Sequence, residues 1–311
     1  MASQLDMSEL SERLRAIERV FTIDELAGRG LDCEEIRAYY KQSGVGYRWF
    51  HSGEGAMHMA LNPSGEFSES GYSGQAKEVE RRINDRTSAV LELAAGRGYN
   101  LAYLAARRPE IQFAGVDIAQ GHIRAARSRL RKLSNVELAV GDFQRLPFAD
   151  SSFGLVYAVE GLCHATDTPR ALAEASRVLR PGGVLVVIDG WRTTRFSDIP
   201  PLARRAARLT EQAMSVGMPW LLPAWLDQAR RLGLEPVDQI DLTSAIMPNL
   251  HRLEGLARRY FAHPRLARLS LRLAPKRLLA NAIAGYLMPL NIAIGAHAYQ
   301  LISMRLAPAG A

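Results

Sequence analysis

The stretch that decides the fold is Glu92-Leu93-Ala94-Ala95-Gly96-Arg97-Gly98-Tyr99-Asn100. A short apolar run, 89–93, precedes the glycines, and a helical pattern over 101–107 follows them. Gly96 and Gly98 permit a tight strand-to-helix turn and let backbone approach a ligand with no Cβ in the way. A Gly-x-Gly pair alone marks only an ordinary turn, so its meaning rests on what surrounds it. Outward from the pair, strand and helix patterns alternate. Strands are expected at 113–116, 136–140, 155–159 and 184–188, and helices at 121–133 and 169–179, the second with proline in its first turn. Strands this uniformly apolar are buried on both faces, which implies a parallel sheet covered by helices above and below.

Before this core, residues 8–60 read as helical and then irregular, and 75–86 as a helix leading in. After Asp189 the alternation loosens. Residues 190–220 read as mostly helical, 223–232 as a helix, 236–242 as a strand, and 298–304 as a closing strand after a long helical insertion. The expected organisation is an N-terminal helical lid at 1–75, a core at 76–242 with a helical insertion near 190–220, a helical substrate cap at 243–296, and a closing strand and tail at 297–311. An insertion placed just before the final strand is a natural roof for a pocket.

Three acids fall at carboxyl ends of the expected strands, where such sheets bind ligands: Glu92, Asp117 and Asp142. Asp117 is placed to accept from ribose hydroxyls, and Asp142, with Phe143 beside it, from an adenine amino group. A dinucleotide site would want a third glycine at 101, where the chain has Leu101, and Glu92 would repel a pyrophosphate at the helix N-terminus. Carboxylates suit a ligand without phosphate that carries a sulfonium and an ammonium, as S-adenosylmethionine does.

The segments VLELAAGRGYNLAYLA, GVDIA, GDFQRLPFADSSFGLVYAVEGLCHATD and ALAEASRVLRPGGVLVVIDGW resemble the successive motifs of class I S-adenosylmethionine-dependent methyltransferases. They are most similar to the group containing sterol, tocopherol, quinone and natural-product enzymes. The resemblance is strong over about 85–190, vague before 60 and weak after 240. It implies a Rossmann-like α/β fold with a seven-stranded, mostly parallel sheet whose last strand is antiparallel, plus a helical cap. It implies that Glu92, Ala94, Gly96, Gly98 and Asn100 line the methionine end of the cofactor, Asp117 and Ile118 the ribose and adenine, and Asp142 and Phe143 the adenine. Tyr40 is a candidate lid contact, with plain packing as its alternative. Ala94 departs from the pattern, which usually has glycine there.

Methyl transfer needs donor and acceptor aligned, water excluded and often a proton removed. Glu160, His164 and Asp189 are the candidate catalytic groups at strand ends. His164 is expected as base or substrate orienter, with Asp189 polarising it or gripping the substrate; Glu160 is expected as an alternative cofactor ligand. A capping role for His164 stays open. Met218, Trp220, Trp225, Leu250 and Leu287 are expected to line an apolar acceptor pocket, suited to a terpenoid, sterol, polyketide or fatty-acyl-like molecule methylated on carbon or oxygen. The alternatives are that these residues simply fill helix cores, that the fold serves a nicotinamide-dependent reductase, or that it is a non-catalytic lipid-binding protein.

The 311 residues, 48% hydrophobic and 23% charged, are ordinary for a globular protein. Two cysteines, Cys33 and Cys163, make no disulfide framework, and no Cys/His cluster has zinc spacing, so no metal is expected. Leu10, Leu14, Ile17 and Val20 recur at helical spacing near the N-terminus, which reads as an amphipathic helix and not a signal peptide; a cytoplasmic location is expected. Residues 278–304 carry no formal charge but include Asn281, Pro289, Asn291 and Gln300, so a buried helix, a turn and a strand are expected there and not a membrane span. The net charge of +7 is lopsided, with no acidic residue after Glu254. A peripheral membrane contact through this basic C-terminal segment is expected over nucleic acid, because no aromatics interleave with the arginines.

Overall fold

The computed structural model describes residues 4–23, 32–46, 51–216 and 221–308. Seven strands form one sheet: β1 (Ala89–Leu93), β2 (Gln112–Asp117), β3 (Val136–Val140), β4 (Phe153–Val159), β5 (Leu179–Arg192), β6 (Leu234–Asp241) and β7 (His297–Leu306), in the order β3-β2-β1-β4-β5-β7-β6. β3 to β5 run parallel, and β7 is antiparallel to both its neighbours. The order reverses beside β1, so the ends of β1 and β4 open a crevice there. This is the fold the sequence predicts.

Alternation along β5 shows how the sheet is covered. Leu185 and Val187 join one core with Trp191, Leu222 and Trp225, while Val184, Val186 and Ile188 join another with Ala245, Ile246 and Leu250. Fully burying each such aliphatic side chain contributes roughly 1.5–3 kcal/mol. On the first face lie α6 (Thr168–Val178), capped by Asp167 on the Arg170 N–H, and α8 (Leu222–Arg231). On the other lie α4 (Tyr99–Arg107) and α5 (Gln120–Leu130), with α3 (Gly74–Glu80) against α4.

A third core is mainly helical. It joins α1 (Gln4–Glu18), α7 (Pro201–Ala213), α9 (Thr243–Phe261) and α11 (Lys276–Ile294), with α10 (Pro264–Leu273) linking the last two and α2 (Cys33–Gly46) packing on α11. Leu10, Leu14, Ile17 and Val20 are all buried in it, as the spacing predicts. Buried Arg13 ties α1 to α9 through Glu254 at 2.5 Å and also donates to the Tyr286 carbonyl. α11 is long and apolar enough to cross a membrane, and half of it is buried against its neighbours. Gly295 ends it with φ of 85°, and the chain turns into β7.

Candidate active site

Strands β1 and β2 deliver Glu92 and Asp117 to one cavity, and the loop after β3 delivers Asp142. Asp117 holds the glycine turn directly. Its Oδ2 accepts from the Gly96 N–H at 2.8 Å, and its Oδ1 from the Ala119 N–H at 2.8 Å and His122 Nδ1 at 3.2 Å. Glu92 Oε1 accepts from Asn100 Nδ2 at 3.0 Å. Ala94 has φ of 53°, in the left-handed region where a side chain is strained. Gly161 makes room for it: a Cβ on Gly161 would lie 2.7 Å from that of Ala94. The departure at 94 is thus matched by a missing side chain across the cavity.

Ten of the expected cofactor residues line this cavity together: Tyr40, Glu92, Ala94, Gly96, Asn100, Asp117, Ile118, Asp142, Phe143 and Glu160. Gly98 does not. Its φ of 70° opens α4, and a Cβ there would press on Leu130 and Ala126 of α5, so glycine serves helix packing at this position.

Buried Glu92 Oε2 and Asn100 Oδ1 lack a hydrogen-bond partner of good geometry among the described residues. Burial pushes the Glu92 carboxyl up to about 8, and Asp117 nearby adds to the shift. The Tyr157 hydroxyl and the Leu101 N–H lie near the Glu92 carboxyl without saturating it, and incompletely bonded acceptors among crowded carboxyls favour a cationic ligand with N–H donors over a phosphate. These residues fit S-adenosylmethionine, with Glu92 and Asn100 toward its ammonium end.

A second, larger cavity of about 360 Å³ meets the first. Tyr40, Met57, Glu160 and His164 wall both. Glu160 follows β4 with φ of 48°, a strained backbone that aims its side chain at the junction. Its Oε1 accepts from the Met59 N–H and the Tyr299 hydroxyl, each at 2.7 Å. Burial raises its pKa to about 7, and Asp189 adds to the shift. Gln75 Nε2 supports this bond set by donating to the Met59 carbonyl at 2.6 Å and the Tyr299 oxygen at 3.2 Å.

His164 sits at the same junction, but both its nitrogens are engaged. Nδ1 faces the Ser215 carbonyl at 2.9 Å, so it carries the proton, and Nε2 accepts from the Tyr40 hydroxyl at 2.8 Å. Burial lowers its pKa, which further weakens it as a base. Asp189 lines the larger cavity but does not polarise His164. Its oxygens accept from the Cys163 and Gly190 backbone N–H groups, and burial raises its pKa to about 6. The expected Asp189–His164 pairing is therefore replaced by Asp189 fixing the turn that carries His164.

Of the expected acceptor-binding residues, Leu250 lines the larger cavity with Met214, Leu253 and Met288. Trp225 does not: α8 covers the opposite face of the sheet, where Trp225 packs edge-on against Trp191 at 5.0 Å. Leu287 does not either. α11 turns Asn281, Gly285, Met288 and Ile292 to the cavity and Ile283, Leu287, Leu290 and Ile294 to the helical core. Met218 and Trp220 lie outside the described residues. Sequence reading missed Met57, Met59 and Tyr299, which reach the site from an irregular segment and the closing strand and carry no local motif.

A sheet of this order, with acids at its carboxyl ends around a glycine turn, defines an S-adenosylmethionine-binding methyltransferase fold. A methyltransferase-domain family matches residues 91–187. The chain is 33% identical over 184 residues to a demethylmenaquinone methyltransferase of Clavibacter sepedonicus, covering 52% of this chain and 71% of that one. It is 28% identical over 239 residues to 27-O-demethylrifamycin SV methyltransferase of Amycolatopsis mediterranei, covering 70% and 86%. It is 32% identical over 173 residues to O-methyltransferase cnsE of Penicillium expansum, covering 54% of this chain and 60% of that protein's length. The crystal structure of the 4+2 cyclase SpnF shares the fold, with a TM-score of 0.68 and 20% identity, covering 89% of this chain and 96% of that one. The chain belongs to the class I S-adenosylmethionine-dependent methyltransferases of small-molecule type, and S-adenosylmethionine is its cofactor.

Proposed function

We propose that this protein methylates a small, lipophilic, phosphate-free acceptor on carbon or oxygen, with Glu160 as the group that takes the proton. The observation that carries this reading is the junction of the two cavities at Tyr40, Met57, Glu160 and His164. The larger cavity falls within the size range of small-molecule sites, and its walls are mainly apolar. No lysine or arginine lines it among the described residues, while Glu160, Asp189 and Glu211 do. Such walls suit a neutral acceptor and repel a diphosphate. The menaquinone and rifamycin names of the relatives are of this lipophilic, natural-product kind.

S-adenosylmethionine supplies a methyl group already activated by its sulfonium. The protein's work is alignment, exclusion of water and proton handling. Helices within 1–75 and 243–296 act as lid and cap; Tyr40 on α2 closes the junction through its bond to His164. His164 orients and closes, and Asp189 holds its turn. Glu160 is held by two donors on Oε1 and has a pKa near the operating pH, which is where a general base is most effective. When Glu160 receives a proton, burial stabilises the neutral form.

The test is turnover of S-adenosylmethionine against a panel of prenylated quinols, polyketides and terpenoids, with calorimetry for S-adenosylhomocysteine and NADPH alongside. Methylated product with at least one lipophilic acceptor, and S-adenosylhomocysteine bound in preference to NADPH, is expected. Methylation confined to phosphorylated or sugar acceptors would overturn the assignment.

A further inference from the structure

Helix α10 reads Pro264-Arg265-Leu266-Ala267-Arg268-Leu269-Ser270-Leu271-Arg272-Leu273. Its positions divide into three sectors. Ala267 is buried, with Ser270 and Leu271 partly so, and these hold the helix to the protein. Leu266, Leu269 and Leu273 fall on one stripe at i, i+3 and i+7 and are 65%, 50% and 80% exposed. Arg265, Arg268 and Arg272 flank that stripe, and exposed Arg259 ends α9 close by. Arg268 donates to the Arg19 carbonyl. Arg259, Arg265 and Arg272 enter no ion pair among the described residues, whereas neighbouring Arg258 is paired with Glu9 and Glu254.

A single exposed leucine needs no explanation, but three on one face beside unneutralised arginines form the pattern of a helix that lies in a lipid interface. The position of α10 adds a reason. The helices it connects supply Tyr260 on one side and Leu278 and Leu279 on the other to the wall of the large cavity. We propose that α10 docks on an anionic bilayer surface, sinking Leu266, Leu269 and Leu273 below the headgroups and setting the cavity's α9–α11 wall at the membrane. The docking stands on α10 alone; that it delivers the acceptor rests on the lipophilic-acceptor reading above. Nucleic acid fits less well, since the arginines alternate with leucine and offer no ring on which a base would stack.

The test is co-sedimentation of the full chain with vesicles of phosphatidylcholine, with and without phosphatidylglycerol, with no methyl donor or acceptor present. Binding to the anionic vesicles only, weakened by salt, is expected. L266S/L269S/L273S lowers the partition coefficient more than tenfold, and each of Arg259, Arg265 and Arg272 changed to Gln lowers it about fivefold. All six side chains are exposed, so circular-dichroism melting of the variants should match the parent. Equal binding to neutral and anionic vesicles, no binding, or an unchanged partition in the triple-leucine variant overturns the proposal. So does a solution dimer that the leucine substitutions split while vesicle binding stays the same. Methyl-transfer activity is not read in any arm, so failure here leaves the reaction assignment standing.

Discussion

Replacing Glu92 with Gln tests the cofactor site through the proton that Glu92 holds. The ordinary value for this carboxyl is 4.5, and burial raises it to about 8 in the folded chain. The folded protein therefore binds an extra proton between those values, and its stability falls as pH rises through that window. Each pH unit costs about 1.4 kcal/mol, so about 3 kcal/mol has been lost by pH 7. Glutamine has the shape of the neutral acid and can keep the contact with Asn100. Glu92→Gln is expected to stabilise the ligand-free protein by an amount near that at pH 7, more at pH 8, and not at all at pH 4. Ligand binding should move the opposite way. At pH 7 Glu92 is about nine-tenths protonated and must ionise to hold an ammonium. Binding of S-adenosylhomocysteine should release ~0.9 proton, measured by calorimetry in buffers of different ionisation enthalpy. Affinity should climb from pH 6 toward 8 and level off once Glu92 is fully ionised. In Glu92→Gln the rising limb and the proton release vanish, and affinity drops by roughly tenfold or more through loss of a charged hydrogen bond. Proton release near zero in the parent, or unchanged affinity in the variant, would refute the placement of Glu92 at the ammonium.

Three further outcomes follow from the same geometry. With Glu160 raised to about 7, turnover should increase with pH and level off above 7, and Glu160→Gln should lower kcat by about 10²–10⁴ with little change in S-adenosylhomocysteine binding; a flat pH profile in the parent removes Glu160 from proton transfer. Gly161→Ala places a Cβ 2.7 Å from that of Ala94 and should destabilise by roughly 1–3 kcal/mol, while adding Ala94→Gly should restore most of it; additive single effects in a chemical-denaturation cycle would show that the two do not touch. Arg13→Met leaves Glu254 buried without its α1 partner and should cost about 3 kcal/mol, lowering the melting temperature; Arg258, already on Glu254, sets how much of the loss is recovered.

How much of this was legible in the sequence depends on whether the deciding information is local. The turn at Gly96, the alternation and the acids at strand ends are local facts. Parallel-sheet topology then brings distant strand ends to one crevice, so Glu92, Asp117 and Asp142 could be assembled without seeing the structure. The acceptor pocket offers no such rule. Apolar spacing says that a helix has a buried face but not which neighbour buries it, and Leu287 and Met288, adjacent in sequence, face different compartments. Trp225 was lost for the same reason, since nothing in 222–231 says which side of the sheet α8 covers. His164 shows a finer limit. Its residue type and position suggested a base, but its chemistry is set by the Ser215 carbonyl and the Tyr40 hydroxyl, 51 and 124 residues away. Glu160 gains its proton affinity from burial and its aim from Met59 and Tyr299, 101 and 139 residues away. Residue type thus marks the candidates, while long-range hydrogen bonds decide which of their atoms are already engaged. That is why the cofactor half of the site could be read from motifs, whereas the choice between Glu160 and His164 required knowing which nitrogen or oxygen was already taken.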